Sequence, residues 1–364
     1  MPTAVLRRTA AQLFMVNLPG PTLDRASRLF FEEFRPGGVV LFKRNVRSPA
    51  ELRTLVSAIH ERGPGTRPIV AIDHEGGRVD RLPRPFTHFP PMAAVGARGD
   101  VRLAEAVGRA MGRELAAVGI DLDFAPVLDV WSNPRNRVIG DRAFGADPAR
   151  VARMGLALAR GLLREGVLAC GKHFPGHGAT VGDSHFVLPR VRRSRRALAA
   201  CDLVPFARAA VAGLPALMTA HVVYPALDAR RPATLSAKIC RDLLRRRLGF
   251  RGELFSDDLE MNAIAAGSTP GKAAIAALEA GCDMLLVCQT TDAARDAIDV
   301  VADALAAGTP DADVVATALA RIQAMRGRLR APHAASDFRW PAHARLARRL
   351  VDPASARRTA TSYA

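Results

Sequence analysis

Eight short, apolar, β-branched runs recur along the chain, near residues 13–17, 38–43, 68–73, 121–125, 168–172, 216–221, 253–257 and 284–287. Longer segments of helical period separate them, among them the Ala/Leu/Arg-rich stretches 102–118, 148–165, 195–212 and 236–248. A strand, a crossover of a dozen or more residues and another strand is the pattern of parallel βαβ units, and each stretch is long enough for a crossover helix. Eight such units predict an α/β fold, a single (β/α)8 TIM barrel spanning residues 1–330. A doubly wound open sheet competes with it, but that fold places Gly-x-Gly-x-x-Gly in its first strand-to-helix turn, and none occurs.

At 364 residues the chain is long for one domain, yet a barrel of this length folds as one unit. Past about Ala331 the periodicity fades, and from Arg326 onward nine arginines face two aspartates. Residues 331–364 therefore read as a basic C-terminal extension. No repeat of solenoid spacing is present.

Hydrophobic residues make up 49% of the chain, but no run approaches the ~20 apolar residues that span a bilayer, so no membrane association is expected. Gln12 and Asn17 interrupt the apolar N-terminal stretch, which makes a poor secretion signal. Five scattered cysteines lack Cys-x-x-Cys spacing and read as buried thiols of a cytoplasmic protein. The net charge of +17 is carried by arginine and raises the possibility of a polyanion-binding protein. Two Trp and two Tyr offer few stacking platforms, so no specific nucleic acid is expected.

Polar residues gather where the expected strands end, at Asp73, Lys172, His173, His221 and Asp257, the face on which barrels build their active sites. The densest segment runs Gly171-Lys-His-Phe-Pro-Gly-His-Gly178, followed by Asp183-Ser-His185. His173 and His177 stand four apart, but Pro175-Gly176 breaks the helix a zinc motif needs, so no metal is expected. An Asp-x-His pair can fix an imidazole tautomer and raise its basicity; it can equally be an ordinary capped loop. In Phe255-Ser-Asp-Asp-Leu259, strand alternation sends one acid into the barrel mouth and leaves the other to cap the next helix, unless both cap. Two further loops, Ile72-Asp-His-Glu-Gly-Gly-Arg-Val-Asp-Arg-Leu82 and Asn133-Pro-Arg-Asn-Arg-Val-Ile-Gly-Asp-Arg-Ala-Phe-Gly145, mix acids and arginines suited to hydrogen-bonding a polyol.

In this order, Ile72-Asp-His-Glu-Gly-Gly-Arg78, Val138-Ile-Gly-Asp-Arg-Ala-Phe-Gly145, Lys172-His-Phe-Pro-Gly-His-Gly178, Asp183-Ser-His185 and Phe255-Ser-Asp-Asp-Leu259 resemble family 3 glycoside hydrolases. Within that family they resemble the bacterial β-N-acetylhexosaminidases of peptidoglycan recycling. The resemblance covers about residues 13–330 and implies a lone barrel without the second domain of many members. It implies Asp257 as nucleophile and Asp183 with His185 as a general acid/base dyad. It places Asp73, Arg81, Arg142, Lys172 and His173 around the sugar hydroxyls and N-acetyl group. It further implies action on muropeptide fragments such as GlcNAc-1,6-anhydro-MurNAc; a monomer with no cofactor is expected. His74 and Ala143 depart from the common Gln and Ser at positions without a chemical role.

A retaining cycle follows: Asp257 attacks the anomeric carbon, His185 protonates the leaving oxygen and then takes a proton from water. Assistance by the substrate's N-acetyl group through Asp257 and Asp258 is an alternative that leaves Asp183 and His185 unused. Phosphorolysis is another, since a His/Asp dyad repels phosphate less than a carboxylate base does.

Overall fold

The computed structural model describes residues 3–62, 66–181, 184, 188–330 and 338–351. Its strands β1 (Phe14–Val16), β2 (Gly38–Leu41), β3 (Ile69–Ile72), β4 (Leu122–Asp123), β5 (Leu168–Phe174), β6 (Ala216–Thr219), β7 (Glu253–Asp258) and β8 (Met284–Val287) form a closed parallel barrel. Each strand pairs with its neighbour in sequence, and β8 closes onto β1 through Phe14 and Leu285. All eight lie where the apolar runs predict. Strands covered by helices outside and packed side chains inside are apolar on both faces, which is why Val39-Val-Leu41 and Ile69-Val-Ala-Ile72 are buried throughout. Phe124 and Phe255 meet edge to face inside, with ring centroids 5.4 Å apart.

The helices Val101–Ala117 and Pro148–Arg164 begin at Asp100 and Asp147, whose carboxylates accept first-turn N–H groups. They approach so closely that a Cβ on Gly161 would lie 2.3 Å from the Glu105 carbonyl oxygen, and one on Gly108 2.1 Å from that of Leu158. The expected helix over 195–212 is instead two, Arg195–Ala200 and Val204–Val211. Cys201 leaves helical geometry at φ −129°, ψ −79°, and Pro205 has no N–H with which to continue the ladder. The segment over 236–248 is a π-helix, Lys238–Arg247, and a hairpin of Val223–Tyr224 with Asp228–Pro232 precedes it.

Of the C-terminal extension, 338–351 is described. Trp340 stacks on Phe86 with centroids 5.2 Å apart, and His343 Nδ1 in the helix Pro341–Val351 lies 2.8 Å from the buried Glu114 carboxylate. Among the described residues no helix is long and apolar enough to cross a membrane, and all five cysteines are free thiols.

The helix contact yields a direct test. Gly161→Ala drives a methyl into fixed backbone and is expected to cost about 2 kcal/mol or more in urea or thermal unfolding. Gly20→Ala, with nothing within 4 Å, is expected to stay within about 0.5 kcal/mol of the parent. Equal stability of the two variants contradicts the packing.

Candidate active site

At the C-terminal ends of the strands lies a cavity of about 800 Å³. Asp73 reaches it just past β3, Lys172 and His173 from β5, Asp257 from β7, and Arg81 and Arg142 from the loops after β3 and β4. Six of the expected site residues thus share one cavity. Asp183 and His185 lie outside the described residues; Ser184 between them lines the cavity, with Oγ 3.2 Å from His177 Nε2. Lys172 and His173 are consecutive, yet both line it, because the pairing of β5 with β6 slips between Gly171 and Phe174.

The floor is an ion network centred on Glu75, a residue the sequence reading passed over in favour of Asp73 and Arg81. Arg142 Nε and Nη2 donate in parallel to the two Glu75 oxygens at 2.8 Å each. Lys172 Nζ lies 2.7 Å from Glu75 Oε1 and 2.5 Å from Asp73 Oδ1. Burial opposes charge on Glu75, but Arg142 and Lys172 outweigh it and hold the carboxyl well below the ordinary glutamate value. The same carboxylates overcome burial to hold Arg142 and Lys172 firmly protonated. Gly76 and Gly77, at φ +85° and +58°, turn the chain tightly enough for the Glu75 N–H to bond the Val79 carbonyl at 2.9 Å.

A second buried carboxylate, Asp129, also escaped the sequence reading, which offers no spacing signal 44 residues from its partner. It accepts His173 Nδ1 at 2.7 Å and the backbone N–H of His177 at 2.6 Å. Burial opposes its charge, but His173 and His177 prevail and hold it low. An ionised carboxylate only accepts, so His173 Nδ1 is the donor and Nε2 is left as the ring's other polar atom. His177, its ring 5.7 Å from that of His173, is pushed down to about 4 by burial and then by His173. Among the described residues no group of three or more His, Cys, Asp or Glu side chains is arranged to hold a metal.

The Asp257–Asp258 pair corrects the alternation expectation. Phe255 pairs with Met284 but Asp258 with Leu286, so β7 carries an extra residue there and both acids face the cavity. The expected capping is absent: Asp258 accepts the Glu260 N–H at 3.1 Å within a turn, and the next helix, Asn262–Ala265, begins at Met261 without a side-chain cap. Their environments differ. Burial raises Asp257, but His221, His173 and the Asp258 N–H at 2.9 Å hold it below the ordinary value. Asp258 has no such company; burial, with added repulsion from Glu260 and Asp257 against the Glu260 N–H, pushes it up to about 7. His221 is buried behind the pair, with Nε2 donating to the Asp258 carbonyl at 2.9 Å and Nδ1 2.7 Å from Thr234 Oγ1.

A closed barrel whose mouth sets an ionised carboxylate beside fixed hydrogen-bonding groups is an arrangement suited to glycoside hydrolysis. The profile described as "Glycosyl hydrolase family 3 N terminal domain" matches residues 5–325. The chain belongs to this family and is a glycoside hydrolase. It is 46% identical to the β-hexosaminidase of Chromobacterium violaceum over 288 residues, 77% of this chain and 79% of that protein. The structure of a family 3 β-N-acetylglucosaminidase from Paenibacillus superposes with a TM-score of 0.91 at 36% identity, over 95% of this chain and 68% of that one. Native NagZ from Neisseria gonorrhoeae gives 0.79 at 38% identity, over 94% and 98%.

The asymmetry of the two aspartates predicts a pH signature. Folding raises the Asp258 carboxyl from its ordinary 3.8 to about 7, so its ionisation costs nothing below pH 4, costs progressively more up to pH 7, and costs its full amount above. Asp258→Asn is therefore expected to gain stability relative to the parent on going from pH 4 to pH 8.5, by on the order of a few kcal/mol. Chemical denaturation at both pH values checks this. The same stability difference at both contradicts it.

Proposed function

We propose that the chain is a retaining, exo-acting β-N-acetylglucosaminidase with Asp257 as nucleophile and Asp183 with His185 as the general acid/base dyad. The observation that carries the reading is Asp257 itself: a carboxylate at a barrel strand end, facing the cavity and kept ionised by His221 and His173. Relatives named β-hexosaminidase and the structural likeness to a β-N-acetylglucosaminidase support the substrate class. Asp73, Arg81, Arg142, Lys172 and His173 would hold the terminal sugar's hydroxyls and N-acetyl group; Glu75 and Asp129 fix three of them.

In the first step the Asp257 carboxylate attacks the anomeric carbon as His185 gives its proton to the departing oxygen, forming a glycosyl ester. In the second, His185 takes a proton from water, the water oxygen bonds the anomeric carbon and Asp257 leaves as carboxylate. Asp183 would orient the imidazole and support its charge. Lys172, tied to Asp73 and Glu75, is fully protonated and acts as a fixed donor rather than a base.

The natural substrate in this reading is GlcNAc β-linked to MurNAc in muropeptide fragments, met by a monomer in the cytoplasm. A cavity of about 800 Å³ and a chain with 5% aromatic residues suit removal of one end sugar better than threading a long glycan.

Purified enzyme is expected to turn over an aryl β-N-acetylglucosaminide far faster than the matching glucoside, without forming a sugar 1-phosphate in phosphate buffer. Asp257→Ala should lower kcat by about 1,000-fold or more, and Asp258→Ala by less. Comparable rates on both glycosides, or a fully active Asp257→Ala enzyme, contradict the reading.

The dyad makes a separate prediction. A sugar alcohol needs a proton to depart, whereas a nitrophenolate leaves almost unaided. His185→Ala is therefore expected to reduce kcat/KM for a disaccharide about 100-fold more than for a nitrophenyl glycoside, with Asp183→Ala showing a weaker form of the same selectivity. Equal losses on both substrates would remove His185 from the role of acid.

A further inference from the structure

The loop 133–139 forms one side of the cavity, and its backbone is held from several directions. Asn133 Nδ2 donates to the Thr180 carbonyl at 3.0 Å, and its Oδ1 accepts the Arg135 N–H at 3.1 Å. Asn136, fully buried, donates to the His177 carbonyl at 2.8 Å and accepts the Ile139 N–H at 2.9 Å. Trp131 Nε1 donates to the Asn136 carbonyl at 3.1 Å. From the opposite side, the Arg78 guanidinium donates to the carbonyls of Arg137 and Val138 at 2.8 and 2.5 Å. The polar side chains of the loop that do none of this holding are Arg135 and Arg137. Both are exposed, both line the cavity, and neither has an ion-pair or side-chain hydrogen-bond partner among the described residues.

Among the cavity's arginines and lysine, Arg81 alone shares this lack of a partner, and its Nε is buried whereas Arg135 and Arg137 are exposed. Arg142 and Lys172 are committed to Glu75 and Asp73; Arg78 clamps the loop and lies 3.4 Å from Asp141; Arg44 donates to the Leu18 and Cys288 carbonyls. Two unengaged guanidinium groups on a hydrogen-bonded loop beside the cavity are free to receive a carboxylate, each in bidentate fashion. We propose that Arg135 and Arg137 form an anion-accepting subsite for the aglycone, selecting glycosides whose leaving portion bears a carboxylate over neutral ones. The inference rests on the glycosidase reading above and refines its substrate class. In a muramyl aglycone the carboxylate comes either from the lactyl ether or, where that group is consumed in an amide, from the attached peptide.

The test measures kcat/KM on three GlcNAc-terminated substrates: chitobiose, which is neutral; GlcNAc-1,6-anhydro-MurNAc, with its lactyl carboxylate free; and its peptide-bearing form, whose carboxylates lie on the peptide. The parent should prefer the acidic substrates, with a preference that shrinks in high salt. The double variant Arg135→Ala/Arg137→Ala should reduce the acidic-to-neutral ratio about fivefold, as suits two exposed charge pairs, and Arg137→Glu should reduce it further. A ratio that falls for the free disaccharide alone assigns the subsite to the lactyl group; one that falls only for the peptide-bearing substrate assigns it to the peptide. Turnover of all three substrates with ratios unchanged in both variants overturns the subsite alone. No turnover of any of them by the parent overturns the glycosidase reading and the subsite with it.

Discussion

The Glu75 carboxylate lies in the floor of the barrel mouth with almost no contact with solvent, bound by both arms of Arg142 and by the Lys172 ammonium. Three charges at such depth are tolerable only together. Removing one partner of a buried pair typically costs about 3–5 kcal/mol, because the survivor keeps its desolvation penalty without compensation. The residues come from three separate parts of the chain, the Gly76–Gly77 turn after β3, the short helix Gly140–Arg142 and the end of β5. The network therefore closes the mouth in one geometry, and every donor it fixes is already in place when a sugar arrives.

The same principle, applied with fewer counter-charges, separates the two neighbouring aspartates. Asp257 is surrounded by His221, His173 and an N–H donor and stays ionised; Asp258, one residue on, has its charge opposed by burial and by its acidic neighbours. Two identical side chains set to different ionisation by their surroundings is the arrangement from which carboxylate chemistry is built. It depends on the extra residue in β7, without which one of the pair would face away from the cavity.

What could be read from the chain follows from the range of the interactions involved. Strands buried on both faces are continuous apolar runs, so all eight were legible, as were Asp73, Lys172 and Asp257 at their ends. The break at Cys201–Leu203 has Pro205 as its one local sign, and a proline is equally at home in the first turn of a helix, so the helical period of 195–212 conceals it. The bulge at Asp257–Asp258 has no local signature. Glu75 stood in plain view beside its two glycines, but its meaning lies in Arg142, 67 residues away, and Asp129 gains its meaning from His173 in the same fashion. Long-range ion pairs leave no periodicity, which is why the network was missed although several of its members were named.

The central claim is that Asp257 bonds covalently to the sugar during turnover. A fluorinated, slowly released glycosyl donor, followed by digestion and fragment mass analysis, tests it without reliance on mutants. The account predicts that one peptide containing Phe255-Ser-Asp-Asp-Leu259 gains the mass of the sugar, with fragment ions placing it on Asp257. A label on Asp258, or no label together with inversion of the anomeric configuration in the product, would contradict it.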